Sequence, residues 1–390
     1  MKVGFYSQIT GVQRDGSLYL PAYFSRFIES LCENVEQLTL LVHQADSKEQ
    51  DIFDSKIVSD NFNFVYLPIK KTFPHLYLFP RFYLSAFLES SKDLDVMIIR
   101  GPTPLMPALA REISPIPTVL MIVGDQLEAA LKSSQPKWRQ LLIREFWKKV
   151  YSDIRTIAKN SLVIVNSEKQ YLKYLPFSKK LIQTRTTTLK QEEIYIRNDN
   201  SLNTPIKLLF SGRIELEKGI LEIIDAVSKL VETGEDVILE FVGWSQDEQK
   251  TGDLIMQRAK SHGIEGRVNI IGYLPAGEKL LNKYWESDMF VIASSEFEGF
   301  PRSIWEALSQ GTLVVATKVG SIPYFIEGVA ELIDSSDPEL IAQAIQKLIH
   351  DDSLRTEYRK KGYQIVQEIT LEKQTSMLVD NIQQWINERK

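Results

Sequence analysis

Short apolar runs, each bounded by polar residues and followed by a stretch of helical spacing, recur from one end of this chain to the other. In the first half they read KVGFYS, QLTLLVH, NFVYLPI, DVMIIRG, PTVLMIVG and SLVIVNS. The rhythm restarts at IKLLFSGR (Ile206–Arg213) and continues through VILEFVG, VNIIGY, MFVIASS, TLVVAT and ELID. A continuous apolar run of this length suits a strand buried on both faces, as in a parallel sheet covered by helices. Helical stretches such as GILEIIDAVSKLVETG lie between the strands. The pattern predicts an α/β chain with two doubly wound, Rossmann-like parallel-sheet domains. A length of 390 residues suits two domains better than one. The Asn-rich stretch RNDNSLNTP, closed by Pro205, is expected to join them, giving domains at 1–197 and 198–369. Residues 370–390 are expected to form a helix that packs back on the first domain. TGVQRDGS reads as a loop after the first strand, with LYLPAYFSRFIESLCE as the helix behind it.

Bulk properties narrow the classes of function. A net charge of −5 argues against a general nucleic-acid binder. With Cys32 as the sole cysteine, an intramolecular disulfide and a cysteine-based zinc site are excluded, and a reducing compartment is expected. The start, MKVGFYSQ, is short and polar for a signal peptide, and no run of eighteen apolar residues exists. The expected location is the cytoplasm.

Two stretches of the second half carry chemistry. After the strand DMFVIASS comes EFEGFPRSIWEAL, in which Gly299 and Pro301 turn the chain and a helix runs from near Pro301 to Gly311. Glu298 then sits in a strand-to-helix turn and Glu306 inside the helix. Such turns lie at the carboxyl edge of a parallel sheet, where ligands bind. The other stretch, SGRIELEKG, follows the first strand of the second domain. Its Arg213 and Lys218 are two fixed cations for a diphosphate, and Gly212 and Gly219 allow close backbone approach. The helix behind it adds N-terminal amides. Taken alone, the loop reads equally as a solvated charged turn.

Together the two stretches resemble the GT-B glycosyltransferases of the large retaining family 4. That family carries a GR-x-n-KG loop, with a variable number of residues between, and an E-x7-E motif in this order, and here seven residues separate Glu298 from Glu306. FVGWS, VNIIGYLP and ATKVGSIPYFIEG fit as well, so the resemblance covers about Ile206–Gly362 and fades in the first half. It implies the GT-B fold, two Rossmann-like domains with a cleft between them. It implies that Arg213 and Lys218 clamp the diphosphate of the sugar donor, with Gly212 beside them. Glu306 would accept hydrogen bonds from the ribose hydroxyls, and Glu298 would bind hydroxyls of the transferred sugar. The amides of Gly299, Phe300 and Arg302 would hold sugar or phosphate, and the Tyr273–Leu274 backbone the edge of the base. Gly16, on the glycine-bearing turn after the first strand, would lie near the diphosphate.

One departure concerns the first domain. Where the family often has a histidine after a central strand, PTVLMIVGDQ has Gly124, leaving Asp125 and Gln126 at the strand end. Asp125 is therefore a candidate to orient the sugar or acceptor, with a helix N-cap as the alternative. The DLD at Asp93–Asp95 precedes its strand, at the wrong edge for a metal site. His43, His75, His262 and His350 show no ligand spacing, so no metal is expected.

Residues 136–160 hold seven Lys or Arg and two acids, with Trp138, Leu141, Leu142, Phe146, Trp147, Val150, Ile154 and Ile157 at helical spacing. A basic amphipathic helix with tryptophans suits an anionic membrane surface, and packing of the stripe on the sheet is the plainer reading. PIKKTFPHLYLFPRFYLSAF is also basic and aromatic.

The resemblance implies a retaining glycosyltransferase. It would move a hexose, with glucose the base-rate choice, from a UDP-sugar to a hydroxyl of a saccharide or lipid-linked saccharide. Catalysis would fall to Arg213, Lys218, Glu298 and Asp125, with no metal and no cofactor beyond the UDP-sugar substrate. Peripheral contact with the inner face of the plasma membrane through 136–160 is expected. A non-catalytic sugar-nucleotide-binding scaffold and a GT-B sugar-nucleotide epimerase are the rivals. The low histidine content speaks against the epimerase.

Overall fold

The computed structural model describes residues 1–46, 53–70, 72–90, 93–127, 136–245, 247–295 and 301–389, with backbone only at 86, 89 and 90. The chain divides into two compact units, one of Met1–Arg185 with Glu372–Lys390 and one of Thr186–Leu371.

In the first unit the strands are β1 (Lys2–Arg14), β2 (Ser17–Leu20), β3 (Gln37–Gln44), β4 (Ser55–Lys56), β5 (Phe62–Leu67), β6 (Val96–Gly101), β7 (Thr118–Ile122), β8 (Leu162–Val165) and β9 (Lys180–Gln183). Parallel strands run β5-β3-β1-β6-β7-β8-β9 across the sheet. Alternate residues feed two cores, because successive side chains of a strand point to opposite faces. Tyr6, Met97, Ile99, Leu120 and Val163 enter one core, and Phe5, Val96, Ile98, Val119 and Leu162 the other. The C-terminal helix Leu371–Asn387 completes the second of these with Leu378, Ile382, Trp385 and Ile386. Ser30 and Thr375 hydroxyls lie 2.8 Å apart beneath it. At about 1.5–3 kcal/mol per fully buried large apolar side chain, this returning helix contributes substantially to the unit.

The expected loop TGVQRDGS is instead the end of β1 and a hairpin. β1 continues to Arg14 and pairs antiparallel with β2, with Arg14 opposite Ser17. Asp15 and Gly16 both have positive φ, 49° and 77°. An Asp-Gly pair favours this two-residue turn because its twist matches that of the strands. The helix starts only at Ala22, after Pro21.

The second unit contains β10 (Ile206–Ser211), β11 (Val237–Val242), β12 (Val268–Gly272), β13 (Met289–Ile292), β14 (Leu313–Thr317) and β15 (Glu331–Ile333). All pair in parallel, in the order β12-β11-β10-β13-β14-β15. Leu208, Phe210, Met289 and Val291 join one core, while Leu209, Phe290 and Ile292 join the other. The helix Ile220–Glu232 supplies the first core with Ile220, Ile223, Ile224, Val227 and Leu230, spaced to lie on one face.

The Asn-rich stretch does not separate the units. Asn203 binds the buried Asp288 through its backbone and side-chain amides, both at 3.0 Å, and Arg197 caps carbonyls of Trp285, Ser287 and Gln310. Its amides satisfy chain ends of the second unit, and the crossing falls at Arg185–Thr186.

Candidate functional site

The strand order of the second sheet reverses between β10 and β13, so the chain leaves these neighbours toward opposite faces and their exits form a crevice. The two sequence stretches emerge there. The loop after β10 lies against the exit of β13, with Ser295 N donating to Glu217 O at 3.0 Å. Gly219 makes this fit possible. Its φ is +72°, and a Cβ there would stand 2.2 Å from Ala293 O. On the other side, a Cβ on Gly243 would stand 1.7 Å from Gly212 O, so the ends of β10 and β11 meet backbone to backbone. Gly243 N in turn donates to Gly272 O at 2.9 Å. This edge is a ledge of main chain, open to a ligand's close approach.

Arg213 is exposed on the ledge and pairs with Glu215 at 3.0 Å. Lys218, half-buried, closes the short turn Leu216–Lys218 and leads through Gly219 into the helix Ile220–Glu232. Glu306 lies on the helix Arg302–Ser309 and is buried. The Thr188 hydroxyl donates to its Oε1 at 2.9 Å, and the Tyr284 hydroxyl to its Oε2 at 3.1 Å. Burial and the neighbouring Glu306 charge push the Tyr284 hydroxyl well above its ordinary pKa. Arg302 is half-buried in the first turn of this helix, close enough to act electrostatically on Tyr284. Tyr273 is exposed just past β12, and Leu274 packs against the core around Trp305. Glu298, Gly299 and Phe300 lie outside the described residues.

The first unit holds the remaining candidates. Asp125 follows β7, at the carboxyl edge of its sheet. Its Oδ1 accepts from the Leu127 amide at 3.1 Å and the Tyr151 hydroxyl at 2.9 Å, and its Oδ2 accepts from Lys173 at 2.7 Å. The lysine ammonium also sits 4.1 Å from the Tyr151 ring centroid. Both oxygens are engaged and the charge is paired within the first unit; the helix of the capping alternative, LEAALKS, lies mostly outside the described residues. Gly124 gives its carbonyl to the Gln170 side chain at 3.1 Å. Gly16 occupies the exposed hairpin tip, where it serves the turn. Asp95 receives the Lys2 amide at 2.7 Å. Among the described residues no group of three or more His, Cys, Asp or Glu is arranged to hold a metal ion.

The basic stretch forms the helix Lys137–Ala158, and its expected single stripe divides in two. Trp147, Val150, Tyr151, Ile154 and Ala158 are buried against the first sheet. Trp138, Leu141 and Leu142 stay 64%, 49% and 60% exposed. The neighbouring segment, Phe73–Leu78, packs on it through Phe73–Trp147 and Tyr77–Phe146 ring contacts, and leaves Leu78, Phe79 and Phe82 exposed. Among the described residues no helix is long and apolar enough to cross a membrane.

Sequence reasoning missed Thr188, Tyr284, Tyr151 and Lys173. Each reaches its carboxylate from a distant segment, 118 and 22 residues away for Glu306, so no local spacing could announce them.

Residues 191–365, nearly all of the second unit, match the family model of the glycosyl transferases group 1. A D-inositol 3-phosphate glycosyltransferase of Corynebacterium diphtheriae is 30% identical over 152 residues, 38% of this chain and 35% of the relative. The lipopolysaccharide core biosynthesis glycosyltransferase LpsE of Rhizobium meliloti is 29% identical over 168 residues, 43% of this chain and 46% of the relative. The matched part thus spans less than half the length of these curated relatives. Among solved structures, HepE of Anabaena in complex with UDP superposes with a TM-score of 0.72 at 16% identity, covering 98% of this chain and 100% of HepE. WaaG, a glycosyltransferase involved in lipopolysaccharide biosynthesis, gives 0.67 at 13% identity over 97% of this chain and 98% of its own. At such identities the likeness bears on the fold, and it extends over both units.

Proposed function

From the match of residues 191–365 to the model of the glycosyl transferases group 1 and from the GT-B fold, we propose that this chain is a member of that family and a retaining, metal-independent glycosyltransferase. It moves a hexose, with glucose the first choice, from a UDP-sugar to an acceptor hydroxyl in exopolysaccharide, cell-envelope polysaccharide or glycolipid assembly. One observation carries the reading: the loop bearing Arg213 and Lys218 meets the exit of β13, which leads to Glu306, where the strand order reverses. Solved complexes of HepE with UDP-glucose, and relatives named for lipopolysaccharide and inositol glycosylation, support the choice of sugar donor and acceptor class.

In this reading Arg213, Lys218 and the N-terminal amides of the helix Ile220–Glu232 stabilise the charge that grows on the leaving diphosphate. Two cations and a helix terminus take the part a metal ion would otherwise play. The bond from the anomeric carbon to the phosphate oxygen breaks, and the acceptor oxygen bonds that carbon on the same face. The acceptor proton passes to the departing phosphate oxygen, so no protein nucleophile is required. Glu306 accepts from the ribose hydroxyls, since a carboxylate offers acceptors only. Glu298 and the Gly299, Phe300 and Arg302 amides serve the sugar and phosphate, and the Tyr273–Leu274 backbone the base. Asp125 enters as an anchor of the first unit's edge.

Calorimetric titration with UDP, GDP and ADP, then UDP-glucose in the presence of EDTA with mass detection of released UDP and glucose, tests the proposal. Preferential UDP binding with slow glucose release is expected. UDP binding without turnover of any hexose donor would leave a sugar-nucleotide-binding scaffold, and loss of turnover in EDTA would overturn metal independence.

The exposed start of the helix Lys137–Ala158 further supports peripheral attachment to an anionic membrane on the cytoplasmic side. Apolar Trp138, Leu141 and Leu142 can enter the headgroup boundary while the basic residues meet lipid charge. Sedimentation with phosphatidylglycerol vesicles, absent with phosphatidylcholine and lost in Trp138→Ser/Leu142→Ser, is the expected result. Equal binding by the variant would sink the attachment.

A further inference from the structure

Glu306 is held from two sides by neutral hydroxyls. A carboxylate has about four lone-pair positions. Thr188 occupies one on Oε1 and Tyr284 one on Oε2, at 2.9 and 3.1 Å. Neither partner neutralises the charge, and among the described residues no further donor takes the remaining lone pair on either oxygen. We infer that Tyr284 and Thr188 are positioning residues for the ribose-binding carboxylate, setting its rotamer before the nucleotide arrives. This rests on the reading of Glu306 as the ribose acceptor.

Tyr284 is itself fixed. It is fully buried, and its ring packs edge-on against Phe290 with centroids 5.7 Å apart. Its carbonyl accepts from the Thr312 hydroxyl at 2.6 Å and from Arg197 at 3.3 Å. Burial beside Glu306 keeps its hydroxyl protonated, and the Ser211 side chain lies close enough to act on it. Protonated, Tyr284 donates to Glu306 at 3.1 Å. Ser211 ends β10 and is followed directly by Gly212 and Arg213. Tyr284 therefore sits between the residue that would read the ribose and the strand end that presents the diphosphate cation. Thr188 closes the other side from the segment that enters the second unit.

The readout is the ratio of affinities for UDP and 2′,3′-dideoxy-UDP, which reports ribose recognition and is indifferent to a general loss of the site. In the wild type, UDP should bind more tightly. Tyr284→Phe keeps the ring and removes the hydroxyl, and should weaken UDP roughly tenfold while leaving the dideoxy compound nearly unchanged. Thr188→Val should act in the same direction, and Thr188→Ser should restore the ratio. Cooperative thermal unfolding of each variant establishes that it is folded, and the Thr188 pair carries the test if Tyr284→Phe is not. Glu306→Gln separates the two levels of the reading. If it collapses the ratio and the Tyr284 and Thr188 variants do not, the positioning role is wrong and the ribose role stands. If it leaves the ratio at the wild-type value, the ribose role fails and the inference falls with it.

Discussion

The two units share a sheet plan and differ in what they do with a carboxylate at its edge. In each, strand order runs outward from a central reversal, and in each an acid near the carboxyl edge receives a tyrosine hydroxyl. Asp125 also receives a lysine ammonium at 2.7 Å, and its Oδ1 accepts from the Leu127 amide at 3.1 Å. Glu306 has only neutral hydroxyl partners among the described residues. The first carboxylate is engaged within its own unit, while the second has acceptor positions unfilled by any described residue. The cations show the same division. Lys173 is consumed by Asp125, whereas Arg213 stands exposed on a main-chain ledge, where Glu215 is its one ion-pair partner among the described residues. A buried acid is thus a ligand-binding candidate according to what neutralises it.

The largest expected effect tests the second edge directly. Lys218→Ala should lower turnover of the sugar donor by about a hundredfold to a thousandfold, the usual consequence of removing one preorganised electrostatic contact to a leaving group. Steady-state release of UDP gives the number, and titration with UDP should show a smaller loss of affinity. A folded Lys218→Ala protein with unchanged turnover and UDP affinity would move the sugar-donor site away from this ledge.

Next comes the first edge. Asp125→Ala strands the Lys173 ammonium in a setting where the two side chains are 13% and 22% exposed. Breaking a largely buried ion pair from one side should cost about 3 kcal/mol of folding stability, seen as a lower urea midpoint. Asp125→Leu with Lys173→Met should recover most of it, because the unpaired charge is then gone. If the double variant is as unstable as the single, the pair is not what anchors this edge.

The contrast between the units was only partly legible in the sequence. All six strands of the second sheet announce themselves as apolar runs, and the Pro301 start and Gly311 stop bracket the Glu306 helix. In the first unit β2, β4 and β9 were missed. β2 and β4 are short and gain stability from pairing rather than composition, while TGVQR, poor in large apolar residues, passed for a loop although it continues β1 and pairs with β2 and β3. The helix Lys137–Ala158 shows a limit of another kind. Its spacing predicts one apolar stripe, yet nothing in that spacing says that Trp147 finds a sheet to cover it and Trp138 does not. Asp125 looked available because Lys173, forty-eight residues on, is invisible to local reading.

A comparable effect distinguishes the units by pH. His43, at the end of β3, is buried, with Nδ1 on Pro68 O at 2.9 Å and Nε2 on the Tyr6 hydroxyl at 3.2 Å. Burial pushes its pKa down to about 4. Above its ordinary value of 6.5 the ring is neutral folded or unfolded, and nothing is lost. Below that, the unfolded chain takes up a proton that the fold refuses, so stability falls as pH drops from 6.5 toward 4. Integrated over that window, the loss is about 3 kcal/mol. The histidines of the second unit, His262 and His350, instead face Asp225 and Glu235 at its surface. Peptide-resolved hydrogen exchange across pH 4–7 should show the first unit loosening first, and His43→Gln should flatten the effect. Simultaneous loosening of both units would remove this difference.

The smallest effect is the most discriminating for the ledge itself. Arg213 and Glu215, 55% and 28% exposed, form a surface pair of the kind that contributes at most about 1 kcal/mol. A diphosphate must share or displace Glu215 to reach the guanidinium. Removing that competitor, and its repulsion of the phosphates, should tighten UDP binding in Glu215→Ala by no more than about fivefold. The gain should shrink at high salt, where exposed charges are screened. Weaker binding in Glu215→Ala would mean that the carboxylate aims Arg213 in advance. The loop of the second unit would then be pre-set by an ion pair, as Asp125 and Lys173 set the edge of the first, and the two edges would differ in burial alone.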